Sequence, residues 1–344
     1  MTDNWNLLGH NWAVDMLRRH IATGETRHAY LFTGPAGVGR RSLALAFARA
    51  LNCTNPPAPG DFCGQCRDCS QVTRLGHPDL YIIEPTIKNP DNPKELIPDA
   101  YGEIRIQQIR ELQRVINLKP YQARYRPIVC LRFNQSNAES SNAFLKTLEE
   151  PPPHAILMLT ADNPESLLPT VVSRCEVLRL RPLPIELVEG ELKRRGAEDE
   201  QARLISHLSA GRPGHAIRLL EDKSLLESRR QYLDDLQTLL SASRVDKFTY
   251  AAKLTKDKDA MRQTLVHWLS LWRDVLLQVA NADAPLENVD RMAEIDGLAR
   301  RLDLASARAR VGEAERAMRQ VEQNVNPRLL AEVLLLGWNK KGAA

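Results

Sequence analysis

No stretch of this chain approaches the roughly eighteen uninterrupted apolar residues of a membrane-spanning helix, so a membrane class and a membrane partner are excluded. Residues 1–10 lack both a basic leader and an apolar segment, which sets the expectation of a cytoplasmic protein. Internal repeats and low-complexity tracts are also missing. So is a strong charge bias: 47 Lys and Arg against 43 Asp and Glu leave +4, which permits nucleic-acid contact without demanding it. What remains is ordinary soluble composition, 43% hydrophobic and 26% charged, in 344 residues. That length favours two or three domains over one core.

Along the chain, Val14, Leu17 and Ile21 recur at helical spacing up to Gly24, and the apolar run Ala29–Phe32 reads as a buried strand. The strand runs into the glycine turn Gly34–Gly39, and an Ala/Leu-rich helix follows from Ser42 to Leu51. Ile106, Ile109, Leu112 and Ile116 mark another helix, before a strand at Ile128–Leu131. A helix around Asn142–Glu150 is stopped by Pro151, and Ala155–Leu159 and Glu176–Leu180 read as further strands. Alternating helices and buried strands give an α/β fold with a parallel sheet covered on both faces. Beyond Pro182 only helical patterns recur, ending in a helix over Arg328–Trp338. The expected domains are 1–182, a small helical one at 183–222, and a larger helical one at 223–344.

Strand, glycine turn and helix in that order form the context of a phosphate loop, G-x-x-x-x-G-K-[ST]. In the working motif backbone amides cradle phosphates, the lysine reaches the terminal ones and the hydroxyl holds magnesium. The candidate nucleotide residues are Gly34, Gly37, Gly39, Arg40, Arg41 and Ser42. Arg40 stands in place of the lysine and Arg41 in place of the hydroxyl residue, while Ser42 comes one position late. One position turns a helical side chain by roughly 100°. A carboxylate at the end of the neighbouring strand is also lacking, because no Asp or Glu occurs from Leu112 to Ala138. Loss of hydrolysis is the expectation; phosphate held on the helix amides, without cleavage, stays open.

Four of the six cysteines, Cys53, Cys63, Cys66 and Cys69, follow C-x9-C-x2-C-x2-C. Clustered thiols in a chain without an export signal read as a metal site, and four of them suit closed, structural, tetrahedral zinc. Gly60 and Gly64 supply turn freedom there. Iron–sulfur ligation has different common spacings. His154, His207, His215 and His267 lack partners at ligand spacing, and Trp268 and Trp272 sit at i, i+4 like a packing face of core or subunit contact.

Several segments resemble the AAA+ clamp-loader ATPases: His28–Phe32, Ile104–Leu112, Asn142–Pro152 with its Leu-Glu-Glu-Pro-Pro, and Leu168–Cys175 with its Ser-Arg-Cys. They span most of residues 1–180, and the tail from Asn324 to Leu329 is similar to the last helix of the family's oligomerising collar. The resemblance implies a P-loop AAA+ domain with a zinc-binding insertion (about 53–69), a helical lid and an all-α collar. It implies that Arg174 of the Ser-Arg-Cys motif reaches ATP on a neighbouring subunit as an arginine finger. It places Thr160 at the first sensor, and Gly214 where active relatives carry the second-sensor arginine.

The implied role is that of a non-hydrolysing member of a heteropentameric loader that places a ring-shaped sliding clamp on primed DNA. Its implied partners are catalytic ATPase and delta-type subunits, with the sliding clamp and primer–template DNA as further candidates; Arg105, Arg110, Arg114 and Lys119 are the basic residues for DNA. Two other readings stand beside it: an active ATPase using Arg40 and a distant carboxylate, and a zinc-dependent DNA-binding protein with a vestigial ATPase fold.

Overall fold

The computed structural model describes residues 4–89, 91–92, 95–322 and 325–338. The chain forms two compact units, Met1–Leu187 with Arg212–His215, and Val188–Gly211 with Ala216–Ala344.

In the first unit the strands are β1 (Ala29–Thr33), β2 (Tyr81–Ile83), β3 (Thr86–Lys88), β4 (Leu96–Pro98), β5 (Arg126–Cys130), β6 (Ala155–Ala161) and β7 (Glu176–Arg179). Five of them make a sheet in the order β2-β5-β6-β1-β7, with every pair parallel. β3 and β4 form a separate antiparallel pair. The helices of this unit are α1 (Asn11–Thr23), α2 (Arg40–Asn52), α3 (Arg67–Thr73), α4 (Ile106–Ile116), α5 (Ala138–Glu149) and α6 (Pro169–Val172).

Strand alternation between two cores explains why β1 is buried throughout and apolar from Ala29 to Phe32. Tyr30 and Phe32 pack into a core with Val14 and Leu17 of α1 and Phe47 of α2, whereas Ala29 and Leu31 enter a second core with Ile109 of α4 and Phe144 of α5. Each such large side chain contributes roughly 1.5–3 kcal/mol on burial. α5 starts at Ala138 rather than Asn142, because Asn137 caps it by accepting from the Ser140 amide. The sequence signal caught only the apolar part of that helix.

The remaining helices are α7 (Ile185–Arg194), α8 (Asp199–Leu208), α9 (Pro213–Glu221), α10 (Lys223–Leu239), α11 (Arg244–Leu254), α12 (Lys258–Val279), α13 (Met292–Ala299), α14 (Leu304–Glu322) and α15 (Pro327–Gly337). Trp268 and Trp272 are core residues of the second unit, packed against buried Trp338 in tilted and edge-to-face geometry with centroids at 5.6 and 5.4 Å. Asn326 caps α15, with Pro327 in its first turn; Asn324 lies outside the described residues. Among the described residues no helix is long and apolar enough to cross a membrane.

Candidate nucleotide site and metal centre

β1 lies between β6 and β7, so the loop after β1 opens at the carboxyl end of the sheet, where parallel sheets hold ligands. The loop depends on glycine. Gly34, Gly37 and Gly39 have φ of 140°, 85° and 116°, and a Cβ on Gly34 would stand 2.2 Å from the Leu180 carbonyl oxygen. The backbone thus has the form of a phosphate cradle leading into α2, whose N-cap is Gly39.

The side chains are arranged differently. Arg40 is buried, and its Nη1 lies 2.9 Å from Oδ1 of Asp162, just beyond β6. Asp162 also accepts from Asn134 Nδ2 at 3.2 Å, and its carbonyl takes the Gly34 amide at 3.1 Å. Arg41 and Ser42 are exposed on the first turn of α2. Sequence reasoning missed Asp162 because it belongs to no motif and reaches the loop only through the pairing of β1 with β6.

Past the end of β5, Leu131 is buried and Arg132 adopts a left-handed conformation with φ 49°. Its amide donates to Thr160 Oγ1 at 2.8 Å, so the hydroxyl expected as first sensor is engaged by backbone. Its guanidinium donates to the Asp99 carbonyl at 3.2 Å and stands 3.9 Å from Glu84. Burial first, and then Arg41 and Arg40, push Arg132 below its ordinary pKa, while Glu84 and Asp99 oppose the shift. Arg132 thus places a cation just past the end of β5, and a divalent ion there would face like charge.

Two further contacts close on the loop. The Gly214 amide donates to the Gly37 carbonyl at 2.8 Å, which seats residues 212–215 against the cradle. His10 Nε2 donates to the Val38 carbonyl at 3.0 Å, and burial lowers the His10 pKa.

The insertion after α2 brings Cys53, Cys63, Cys66 and Cys69 together, with all four sulfurs within 4.8 Å of one another. Cys53 Sγ lies 3.6 Å from Cys63 Sγ and 4.0 Å from Cys66 Sγ. A tetrahedron of thiolates at zinc–sulfur distance has edges of about 3.8 Å, so the donor set fits. The amides of Cys63, Cys66 and Cys69 donate to the sulfurs of Cys53, Cys63 and Cys66, as in turns that stabilise thiolates. Burial opposes ionisation of Cys66, but Thr54 and the Cys69 amide outweigh it and bring that thiol down to about 6. Burial pushes Cys53 and Cys69 up. Asp68 of α3 accepts from His77 Nε2 at 3.0 Å, and Phe62 packs on Trp5, which ties the insertion to the core. A Cβ on Gly60 would meet the Arg18 carbonyl oxygen at 2.3 Å.

Arg174 follows α6. Its Nη2 donates to Glu149 Oε1 at 2.8 Å, and its Nη1 to the Thr170 carbonyl at 2.9 Å and Ser173 Oγ at 3.4 Å. These partners come from α5 and from α6 with its following residue, and none belongs to the loop Gly34–Ser42.

Residues 9–184 match the family model of the DNA polymerase III delta subunit, and residues 223–340 match the model of its C-terminal region. The chain belongs to the DNA polymerase III delta-subunit family. Within it, the delta-prime subunit of Pseudomonas aeruginosa is 36% identical over 62% of this chain, and the aligned stretch spans 61% of that protein. The delta-prime subunit of Bacillus subtilis is 26% identical over 94% of each chain. The tau subunit of Escherichia coli is 29% identical over 55% of this chain and 27% of its own length. A DNA polymerase III gamma subunit-related protein of Thermotoga maritima, solved as a crystal structure, has a TM-score of 0.44 at 18% identity, covering 94% of this chain and 97% of its own. The two family models and the delta-prime relatives agree with the resemblance stated from the sequence, and the five-stranded sheet is the parallel α/β core expected there.

Proposed function

We propose that this chain is the delta-prime-type subunit of a DNA polymerase III clamp loader, hydrolysing no ATP itself and supplying Arg174 to the ATP site of a neighbouring catalytic subunit. The observation that carries this reading is the substitution of cations into its own site: Arg40 held by Asp162 and Arg132 after β5 replace the lysine and the metal-binding acid. Without a carboxylate there, magnesium has no anchor and water no orienting base. A phosphate on the loop amides would have to draw Arg40 from its partner.

In this reading the chain has a nucleotide-fold domain to about residue 182, a lid to about 222 and a collar beyond, and it acts in the cytoplasm as a component of the polymerase holoenzyme. Cys53, Cys63, Cys66 and Cys69 hold one structural zinc ion, with no ligand position left for water. Catalytic ATPase and delta-type subunits are its direct partners, with the sliding clamp and primer–template DNA as further contacts. Arg110 and Arg114, on the exposed side of α4, are available for the DNA.

The test is phosphate release by the purified chain, alone and mixed with the catalytic and delta-type subunits, with assembly followed by mass. The reading expects no magnesium-dependent turnover alone and stable co-assembly. Turnover by the isolated chain overturns it.

A further inference from the structure

Helix α5 ends with Glu149 followed by Glu150, two carboxylates at the helix terminus where the macrodipole is unfavourable to negative charge. Glu149 is engaged there with Arg174, at 2.8 Å. The pair is partly exposed, Arg174 at 35% and Glu149 at 50%, and pairs of that kind contribute little to stability. Its consequence is geometric. Arginine has many rotamers, and a guanidinium that must meet a phosphate on another subunit gains from being fixed beforehand.

The hold is three-sided: Glu149 takes Nη2, while the Thr170 carbonyl and Ser173 hydroxyl take Nη1. Nε–H has no partner among the described residues and is left for an incoming anion.

We infer that Glu149 is a positioning residue for Arg174, anchoring Nη2 so that the guanidinium is held ready, with Nε–H unengaged, for the terminal phosphate of ATP on the neighbouring subunit. The inference rests on the reading of Arg174 as a finger in trans. Glu149 acts as a hydrogen-bond acceptor, so glutamine, which keeps an acceptor oxygen in the same place, preserves the function, and alanine does not.

The experiment is clamp-stimulated ATP hydrolysis by the reconstituted loader carrying this chain as wild type, Glu149→Ala, Glu149→Gln, Arg174→Ala or the Glu149→Ala/Arg174→Ala double variant. The expected result is a roughly tenfold lower kcat for Glu149→Ala with KM for ATP unchanged, and Glu149→Gln within about twofold of wild type. The double variant should be no slower than Arg174→Ala, because a positioning residue has nothing left to position. A wild-type or faster rate for Glu149→Ala, a Glu149→Gln variant as slow as Glu149→Ala, or a double variant slower than Arg174→Ala would each overturn the inference. Failure of the underlying reading looks different: Arg174→Ala itself would then hydrolyse ATP at the wild-type rate.

Discussion

Arg40 and Asp162 form an ion pair, 2.9 Å from guanidinium to carboxylate, between the first turn of α2 and the residue after β6. Arg40 stands at the position the loop motif gives to lysine, and Asp162 holds the loop from its backbone as well, through the Gly34 amide. Loop and partner form one closed arrangement.

Restoring the loop alone should therefore not restore an enzyme. The double substitution Arg40→Lys/Arg41→Thr recreates the motif but leaves Leu131-Arg132 after β5, with no acid for magnesium. Phosphate release should stay at background with and without magnesium. Magnesium-dependent release by that variant would mean that the missing carboxylate is not limiting.

Removing the counter-ion should loosen the fold. Asp162→Asn leaves a buried Arg40 beside a neutral amide, and the loss is below that of a fully buried pair because Asp162 is about half exposed. A destabilisation of roughly 1–3 kcal/mol is expected in urea unfolding. An unchanged midpoint would show that Arg40 finds another partner.

The glycine contact above the loop makes a steric prediction. A Cβ on Gly214 would meet the Gly37 carbonyl oxygen at 3.0 Å, and a Cβ on Gly37 would meet the His215 amide nitrogen at 3.0 Å while forcing alanine into φ 85°. Gly37→Ala should cost about 1–2 kcal/mol from the backbone alone, with Gly214→Ala smaller. Comparing the two by thermal unfolding checks the order, and equal effects would place the strain in the contact rather than in the dihedral.

Zinc affinity should depend steeply on pH. The Cys53 and Cys69 thiols, pushed up by burial, are protonated at neutral pH without metal, so binding releases at least two protons. Affinity should fall at least roughly hundredfold for each unit of pH lost below neutrality. Below about 6 the Cys66 thiol also takes up a proton and the slope steepens. Competition with a chromophoric chelator across this range measures it, and a flat profile would contradict thiols that are protonated before metal binds.

The sheet was legible in the sequence where strands are buried along their whole length, because β1, β5 and β6 then carry near-continuous apolar runs, whereas the edge strand β7 shows only Val177 and Leu178 between charged residues. β2, β3 and β4 have three residues each, too few for any period, and left no signal. The cysteine cluster was legible because its ligands are close along the chain. Asp162, Arg132 and Glu149 acquire their partners only through strand pairing and helix ends, and His10 through a left-handed turn before α1. Motif spacing carries no trace of such contacts.

The central claim is a division of labour: no hydrolysis at this chain's own loop, and Arg174 needed at a neighbour's. Single-turnover ATP hydrolysis by the reconstituted loader, with wild-type chain against Arg174→Ala, tests it most directly. The account predicts that one site's fast phase disappears, slowed roughly 10³-fold or more as for other arginine fingers supplied in trans, while assembly is retained. Unchanged amplitude and rate of that phase in the Arg174→Ala loader would contradict it.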